Sequence, residues 1–248
     1  YVYDGITPIN LWLEYEKEPS CQLQLRIQFF QRGGISELVK EIVYSEEDLK
    51  EPILLDDFER YYLSFCLEAK GEGELKIGAL HKRYSHGPFG EMTVGAQTLR
   101  DSKRQEIFAY FNPGDMKPTL NIYFSGYRPA EGFEGFVMMR RMGSPFILFS
   151  DPRLEGGSFY MGSQELEDQI VAYIDQHLDW LGFGPKEMNF SGLSMGTFGA
   201  LYYGASYSPH AILVGKPIIN LGDVAANLKF KRPDEFGTSL DMMQLLVG

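Results

Sequence analysis

Histidine and cysteine are both scarce in this 248-residue chain, with four of the first and two of the second. Cys21 and Cys66 can close one disulfide at most. Both fall in segments with strand character, where a small buried thiol is the common outcome, and nothing in their number demands an oxidising compartment. There is no H-E-x-x-H, no clustered Cys and His and no acidic calcium loop, so no metal constellation is visible and none is expected. Basic residues are outnumbered, 23 Lys and Arg against 34 Asp and Glu, for a formal charge of -11. Without a basic run to offset that balance, a general affinity for nucleic acid or anionic membrane is excluded. No apolar run reaches the ~18 residues of a membrane span, and there is no signal peptide, which leads to the expectation of a soluble, cytoplasmic chain. An initiator Met is missing and Leu245-Leu246-Val247-Gly248 is an apolar end, so the chain reads as a piece of a longer protein.

What is present suffices for a sizeable core: 44% of residues are hydrophobic and 14% aromatic, enough for one large domain or two modest ones. The first hundred residues read as β. Cys21, Leu23, Leu25, Ile27 and Phe29 alternate with Gln22, Gln24, Arg26 and Gln28, the period of a half-buried strand. Ile9 to Tyr15, Tyr61 to Leu67 and Leu75 to Ala79 repeat the pattern, with Gly33-Gly34, Gly71-Glu72-Gly73 and Gly87-Pro88 as turns. The expectation is an antiparallel β-sandwich over residues 1–104.

From residue 105 the pattern changes. Ile107–Phe111, Leu120–Phe124 and Pro145–Phe149 are short, nearly continuous apolar strands of the kind covered on both faces. Leu166, Ile170, Ile174, Leu178 and Leu181 mark an amphipathic helix between Ser163 and Gly182. A strand at Glu187–Phe190, a small-residue helix at Thr197–Ala205 and a strand at Ala211–Val214 follow. Strands alternating with helices predict an α/β domain with a parallel sheet over residues 105–248.

Between the last two strands stands Gly192-Leu193-Ser194-Met195-Gly196. G-x-S-x-G at a strand-to-helix turn is the pattern of a nucleophile elbow, which exposes a serine hydroxyl above the sheet of an α/β-hydrolase-like fold. Such a serine needs a histidine to take its proton, an acid to orient the histidine, and backbone N–H donors for the oxyanion. Met195, the residue after the nucleophile, is one candidate donor; Gly126, in Ser125-Gly126-Tyr127 after the strand Leu120–Phe124, is the other. The blander reading is a tight turn packing helix against sheet. A phosphate-binding loop is disfavoured because the Walker lysine is absent.

The serine's partners are not evident. After Ser194 the sole histidine is His210, placed just before a strand and so at the wrong end of the sheet. His177 flanks the apolar stripe of the long helix, and His81 and His86 lie in the β-rich region, where catalysis would require the sandwich to fold over the elbow. Asp151, Asp223 and Asp241 read as helix caps or solvated charges. The acid and histidine of the site are expected beyond residue 248. Tyr123, Tyr127, Tyr160, Tyr202 and Tyr203 offer faces for sugar stacking, although core packing is the commoner use.

The stretch Asn189-Phe190-Ser191-Gly192-Leu193-Ser194-Met195-Gly196-Thr197-Phe198-Gly199-Ala200-Leu201-Tyr202-Tyr203-Gly204-Ala205 is more than a generic elbow. With Val214-Gly215-Lys216-Pro217 and Arg232-Pro233-Asp234-Glu235-Phe236-Gly237-Thr238-Ser239-Leu240-Asp241 it resembles the accessory Sec system family Asp-two, most sharply over residues 119–241. The resemblance implies a cytoplasmic protein, peripheral at the export site, that helps export serine-rich repeat glycoprotein adhesins. It implies sister Asp subunits and the accessory Sec motor and channel as partners. It also implies acetyl transfer to N-acetylglucosamine on the adhesin, with Ser194 as nucleophile, an acetyl donor of unknown identity as co-substrate and no cofactor. The family's glutamate and histidine lie well C-terminal to that serine, so the 248-residue piece is expected to be catalytically poor. Two other readings stay open: a carbohydrate or ester hydrolase with the same elbow, and a non-enzymatic export scaffold.

Overall fold

A computed structural model of the chain describes residues 1–33, 37–57, 59–128, 131–153, 158–231 and 246. It divides into two compact units, Tyr1–Val94 and Gly95–Gly248.

Among its described residues the first unit has seven strands: β1 (Val2–Tyr3), β2 (Ile9–Lys17), β3 (Gln22–Gln31), β4 (Leu38–Tyr44), β5 (Ile53–Leu55), β6 (Tyr61–Lys70) and β7 (Leu75–Tyr84). They form two antiparallel sheets, ordered β1-β6-β3-β4 and β5-β2-β7. One apolar cluster joins them, with Leu23, Leu25, Ile27 and Phe29 of β3 packed with Ile9, Leu11 and Leu13 of β2. The expected sandwich is therefore present, and the period-2 pattern of β3 arises because its alternate residues face this shared core. On the other face Arg26 bridges Glu41 and Glu68 across neighbouring strands. The edge strand β4 leaves Leu38, Val39 and Val43 exposed, so its hydrophobic pattern did not point to a buried face. The cysteines divide. Cys21 is a buried free thiol, as expected, but Cys66 is free and exposed, because it sits on the outward face of β6 opposite Arg26.

The second unit runs β8 (Ala96–Arg100), β9 (Glu106–Asn112), β10 (Leu120–Phe124), α1 (Phe136–Met142), β11 (Phe146–Ser150), α2 (Gln164–Leu181), β12 (Met188–Leu193), α3 (Gly196–Tyr207), β13 (Ala211–Gly215) and α4 (Leu221–Lys231). The unit begins at residue 95 rather than 105 because β8 pairs antiparallel with β9, from Ala96↔Tyr110 to Arg100↔Glu106. The six-stranded sheet has the order β13-β12-β10-β11-β9-β8. β10 to β13 are mutually parallel, and β9 joins β11 antiparallel. Every residue of β10 and β11 is buried, as continuous apolar strands require. The helix α2 covers the sheet with Leu166, Ile170, Tyr173, Ile174 and Leu178, each such burial contributing about 1.5–3 kcal/mol. Ser163 caps its start, its Oγ accepting from the Leu166 N–H at 3.2 Å, and Gly182 ends it in the left-handed conformation.

The chain leaves β10 toward β11 on one side and leaves β12 toward β13 on the other. That reversal puts a topological switch point at the C-terminal ends of β10 and β12, where open α/β sheets place their ligands. Ser125 and Gly126 follow β10 there, and Ser194 follows β12.

Candidate active site

β10 and β12 lie side by side with Phe124 opposite Gly192, which brings their following loops together. At the end of β12 the backbone of Ser194 turns into the left-handed region, with φ 54°. For a residue with a Cβ this is strain of roughly 1–3 kcal/mol, sustained only when the surroundings enforce it. The surroundings do. The Ser194 N–H donates to Gly215 O at 2.9 Å, and the Ser194 carbonyl accepts from both the N–H and the hydroxyl of buried Thr197, at 3.0 and 2.5 Å. The same threonine hydroxyl accepts from Ile218 N–H at 3.0 Å. The flanking glycines are required by space: a Cβ on Gly192 would lie 2.1 Å from Gly196 O, and one on Gly196 would lie 1.9 Å from Phe124 O. Met195 is buried, and its backbone stands at the start of α3, the positive end of the helix dipole.

The facing loop is held as firmly. Ser125 N–H continues the sheet ladder to Phe149 O at 2.9 Å, Ser125 O accepts from the Tyr160 hydroxyl at 2.6 Å, and Ser125 Oγ accepts from Glu134 N–H at 3.1 Å. Gly126 sits against the elbow. The place a Cβ on it would take is 2.9 Å from Leu193 O, 3.2 Å from Glu134 Oε2 and 3.7 Å from Ser194 Cβ. The Gly126 N–H donates to Glu134 Oε2 at 2.7 Å, and the Tyr123 hydroxyl donates to the same oxygen at 3.0 Å. Burial first, and then the Glu134 charge, push the Tyr123 hydroxyl well above the usual phenol range.

Behind this loop stands a buried charge. Asp151 is neither a helix cap nor solvated, in contrast to the sequence expectation. Its Oδ1 accepts from Arg153 N and Nε at 3.1 and 2.9 Å, and its Oδ2 from Arg153 Nη2 at 2.8 Å and from the N–H groups of Ser158 and Tyr160 at 3.0 Å each. Burial pulls the Arg153 pKa down, but Asp151 beside it more than reverses this and leaves it raised. The chain of contacts Asp151–Tyr160–Ser125 thus props the loop that faces Ser194. The roles of Asp151, Tyr160, Glu134 and Thr197 carried no sequence motif; a buried threonine three residues after the serine was the nearest to a signal.

Within the second unit the histidines stay away from the elbow. The His210 N–H donates to Met188 O at 2.9 Å, at the start of β12 and roughly 20 Å of strand from Ser194. His177 packs between Phe111 and Tyr173, with ring centroids 4.2 and 4.3 Å away, and burial lowers its pKa against a hydrogen bond to Tyr173 O. In the first unit His81 lies 2.8 Å from Glu14, and His86 precedes a short turn at Gly87–Phe89. Asp223 sits in the first turn of α4 with its N–H on Asn220 Oδ1 at 3.3 Å, while Asp241 lies outside the described residues. Among the tyrosines, Tyr123, Tyr160 and Tyr203 are buried and Tyr127 and Tyr202 exposed.

Residues 1–247 match the sequence model of the accessory Sec system GspB-transporter family. The chain belongs to this family. It is 51% identical over 241 residues to the accessory Sec system protein Asp-two of Streptococcus gordonii, which covers 97% of this chain and 47% of that protein. The Asp-two protein of Staphylococcus aureus is 47% identical over 244 residues, again 47% of its length. Among solved structures, a chain of the glycosylation-associated protein (Gap123) complex from Streptococcus agalactiae matches all of this chain with a TM-score of 0.92 and 44% identity, over 48% of its own length. The chain thus spans about half the length of the relatives it matches. Among the described residues no helix is long and apolar enough to cross a membrane.

Proposed function

We propose that Ser194 is the nucleophile of an O-acetyl transfer to N-acetylglucosamine on a serine-rich repeat glycoprotein, within an accessory Sec system that exports that adhesin. The observation that carries this reading is the strained Ser194 at the C-terminal ends of β10 and β12, beside the Gly126 loop. Ser194 Oγ attacks the acetyl carbonyl, its proton passes to a base, and the donor's leaving group departs. A sugar hydroxyl then attacks the acyl-enzyme and regenerates the serine. The Met195 and Gly126 amides are the proposed donors to the oxyanion. His177, packed between Phe111 and Tyr173, and His210, beside the start of β12, are not the proposed base. Sister Asp subunits, the accessory Sec motor and channel, and a cytoplasmic position at the export site complete the proposal, supported by membership of the family.

The scaffold reading has one observation in its favour: the Gly126 amide is engaged by Glu134. The test is to give the intact protein carrying this chain 4-nitrophenyl acetate with and without N-acetylglucosamine. O-acetylated sugar that vanishes in Ser194→Ala supports transfer. Acetate release indifferent to the sugar supports hydrolysis, and adhesin export unaffected by the substitution, with neither product formed, supports a scaffold.

A further inference from the structure

The Gly126 amide has two features that a free oxyanion donor would not combine: its residue sits against the elbow, and it is already satisfied. Gly126 N–H and Tyr123 O–H converge on one oxygen, Glu134 Oε2, at 2.7 and 3.0 Å. Two donors at such distances from a single anionic oxygen are the arrangement that stabilises an oxyanion. The oxygen flanks the same glycine as the nucleophile, since the place a Cβ on residue 126 would take is 3.2 Å from Glu134 Oε2 and 3.7 Å from Ser194 Cβ. Among the described residues no cation pairs with Glu134, so N–H and O–H dipoles meet its charge, as they would meet a transient oxyanion. Its backbone is pinned by the bond from its N–H to Ser125 Oγ, while the side chain is only half-buried and can withdraw without breaking a core.

From this we infer that Glu134 is a built-in occupant of the oxyanion site, which the acyl donor must displace before Ser194 reacts. The inference rests on Ser194 being the nucleophile. Glu134 is then a positioning residue with an inhibitory sense: it keeps the donors aligned and the site closed to water until a carbonyl competes for the Gly126 amide. Tyr123, which donates to the same oxygen, holds the occupant in place.

The test is the rate at which an alkyl fluorophosphonate labels Ser194 in the intact protein, because its phosphoryl oxygen must enter the oxyanion site as the Oγ–P bond forms and fluoride leaves. Glu134→Ala, with fold checked by thermal unfolding, is expected to label roughly tenfold faster than wild type, the scale of losing one charge-assisted hydrogen bond. Glu134→Gln, which keeps the shape without the charge, should fall between them, and Tyr123→Phe should accelerate labelling by roughly two- to fivefold. Unchanged or slower labelling in the folded Glu134 variants would overturn the inference while leaving the nucleophile intact. If the serine labels in no variant, Glu134→Ala included, the reading of Ser194 falls and the inference with it.

Discussion

The two units cover their β-sheets differently: the first hides one face of each sheet, the second both faces of its central strands. In the first unit each sheet has an inner apolar face and an outer polar one: Leu23, Leu25, Ile27 and Phe29 point inward, and Arg26 lies between Glu41 and Glu68 on the outside. In the second unit β10 and β11 are buried along their whole length, and helices and loops approach the backbone so closely that a methyl group does not fit. The difference teaches where precision was needed. In the first unit the glycines tightest against other backbone, Gly5 and Gly71, lie between strands; in the second, Gly192 and Gly196 lie where strand, loop and helix meet around the strained serine.

The largest effect that would sharpen this contrast comes from adding one methyl group in each unit. Gly196→Ala places a Cβ 1.9 Å from Phe124 O and is expected to cost about 3–5 kcal/mol, seen as a lower denaturant midpoint. Gly33→Ala, in a turn at φ 88° with nothing within 4 Å, should cost about 1 kcal/mol from backbone strain alone. Equal costs would break the comparison.

Charged pairs give the next contrast. Asp151→Asn leaves Arg153 buried without its counter-charge and should destabilise the second unit by about 3–5 kcal/mol, loosening the Ser125 carbonyl through Tyr160. Arg26→Met, on the wet face of the sandwich, should barely move the unfolding midpoint. Hydrogen exchange at Ser125 and Tyr160 that stays slow in Asp151→Asn would show that the loop is held by other means. The most local is Ser163→Ala, which removes the cap of α2 and should cost about 1 kcal/mol, with faster exchange confined to the first turn of that helix.

Much of the architecture was legible because it rests on periodicity. The alternation in β3 and the stripe of α2 each repeat often enough to identify a face, and Ser163 and Gly182 bound the helix at both ends. The weak points were edges and short elements. β8 begins the second unit earlier than its composition suggests, since pairing with β9 and not hydrophobicity defines it. The seven-residue α1 buries one side chain, Met139, too few to set a period. At the site, G-x-S-x-G marked the elbow because close backbone approach demands glycine, and that demand is local. The supports of the opposite loop were illegible for the complementary reason. Glu134, Asp151, Tyr160 and Ser125 are brought together by the sheet, and a carboxylate in a polar stretch of sequence resembles any solvated one until its donors are seen.

The account stands most directly on the reactivity of one hydroxyl. Treating the intact protein with a fluorophosphonate and locating the adduct by peptide mass spectrometry should place it on Ser194, with none on the folded Ser194→Ala variant. A folded protein that carries no adduct at Ser194, even with Glu134 replaced by alanine, would contradict the account and leave the elbow as a structural turn.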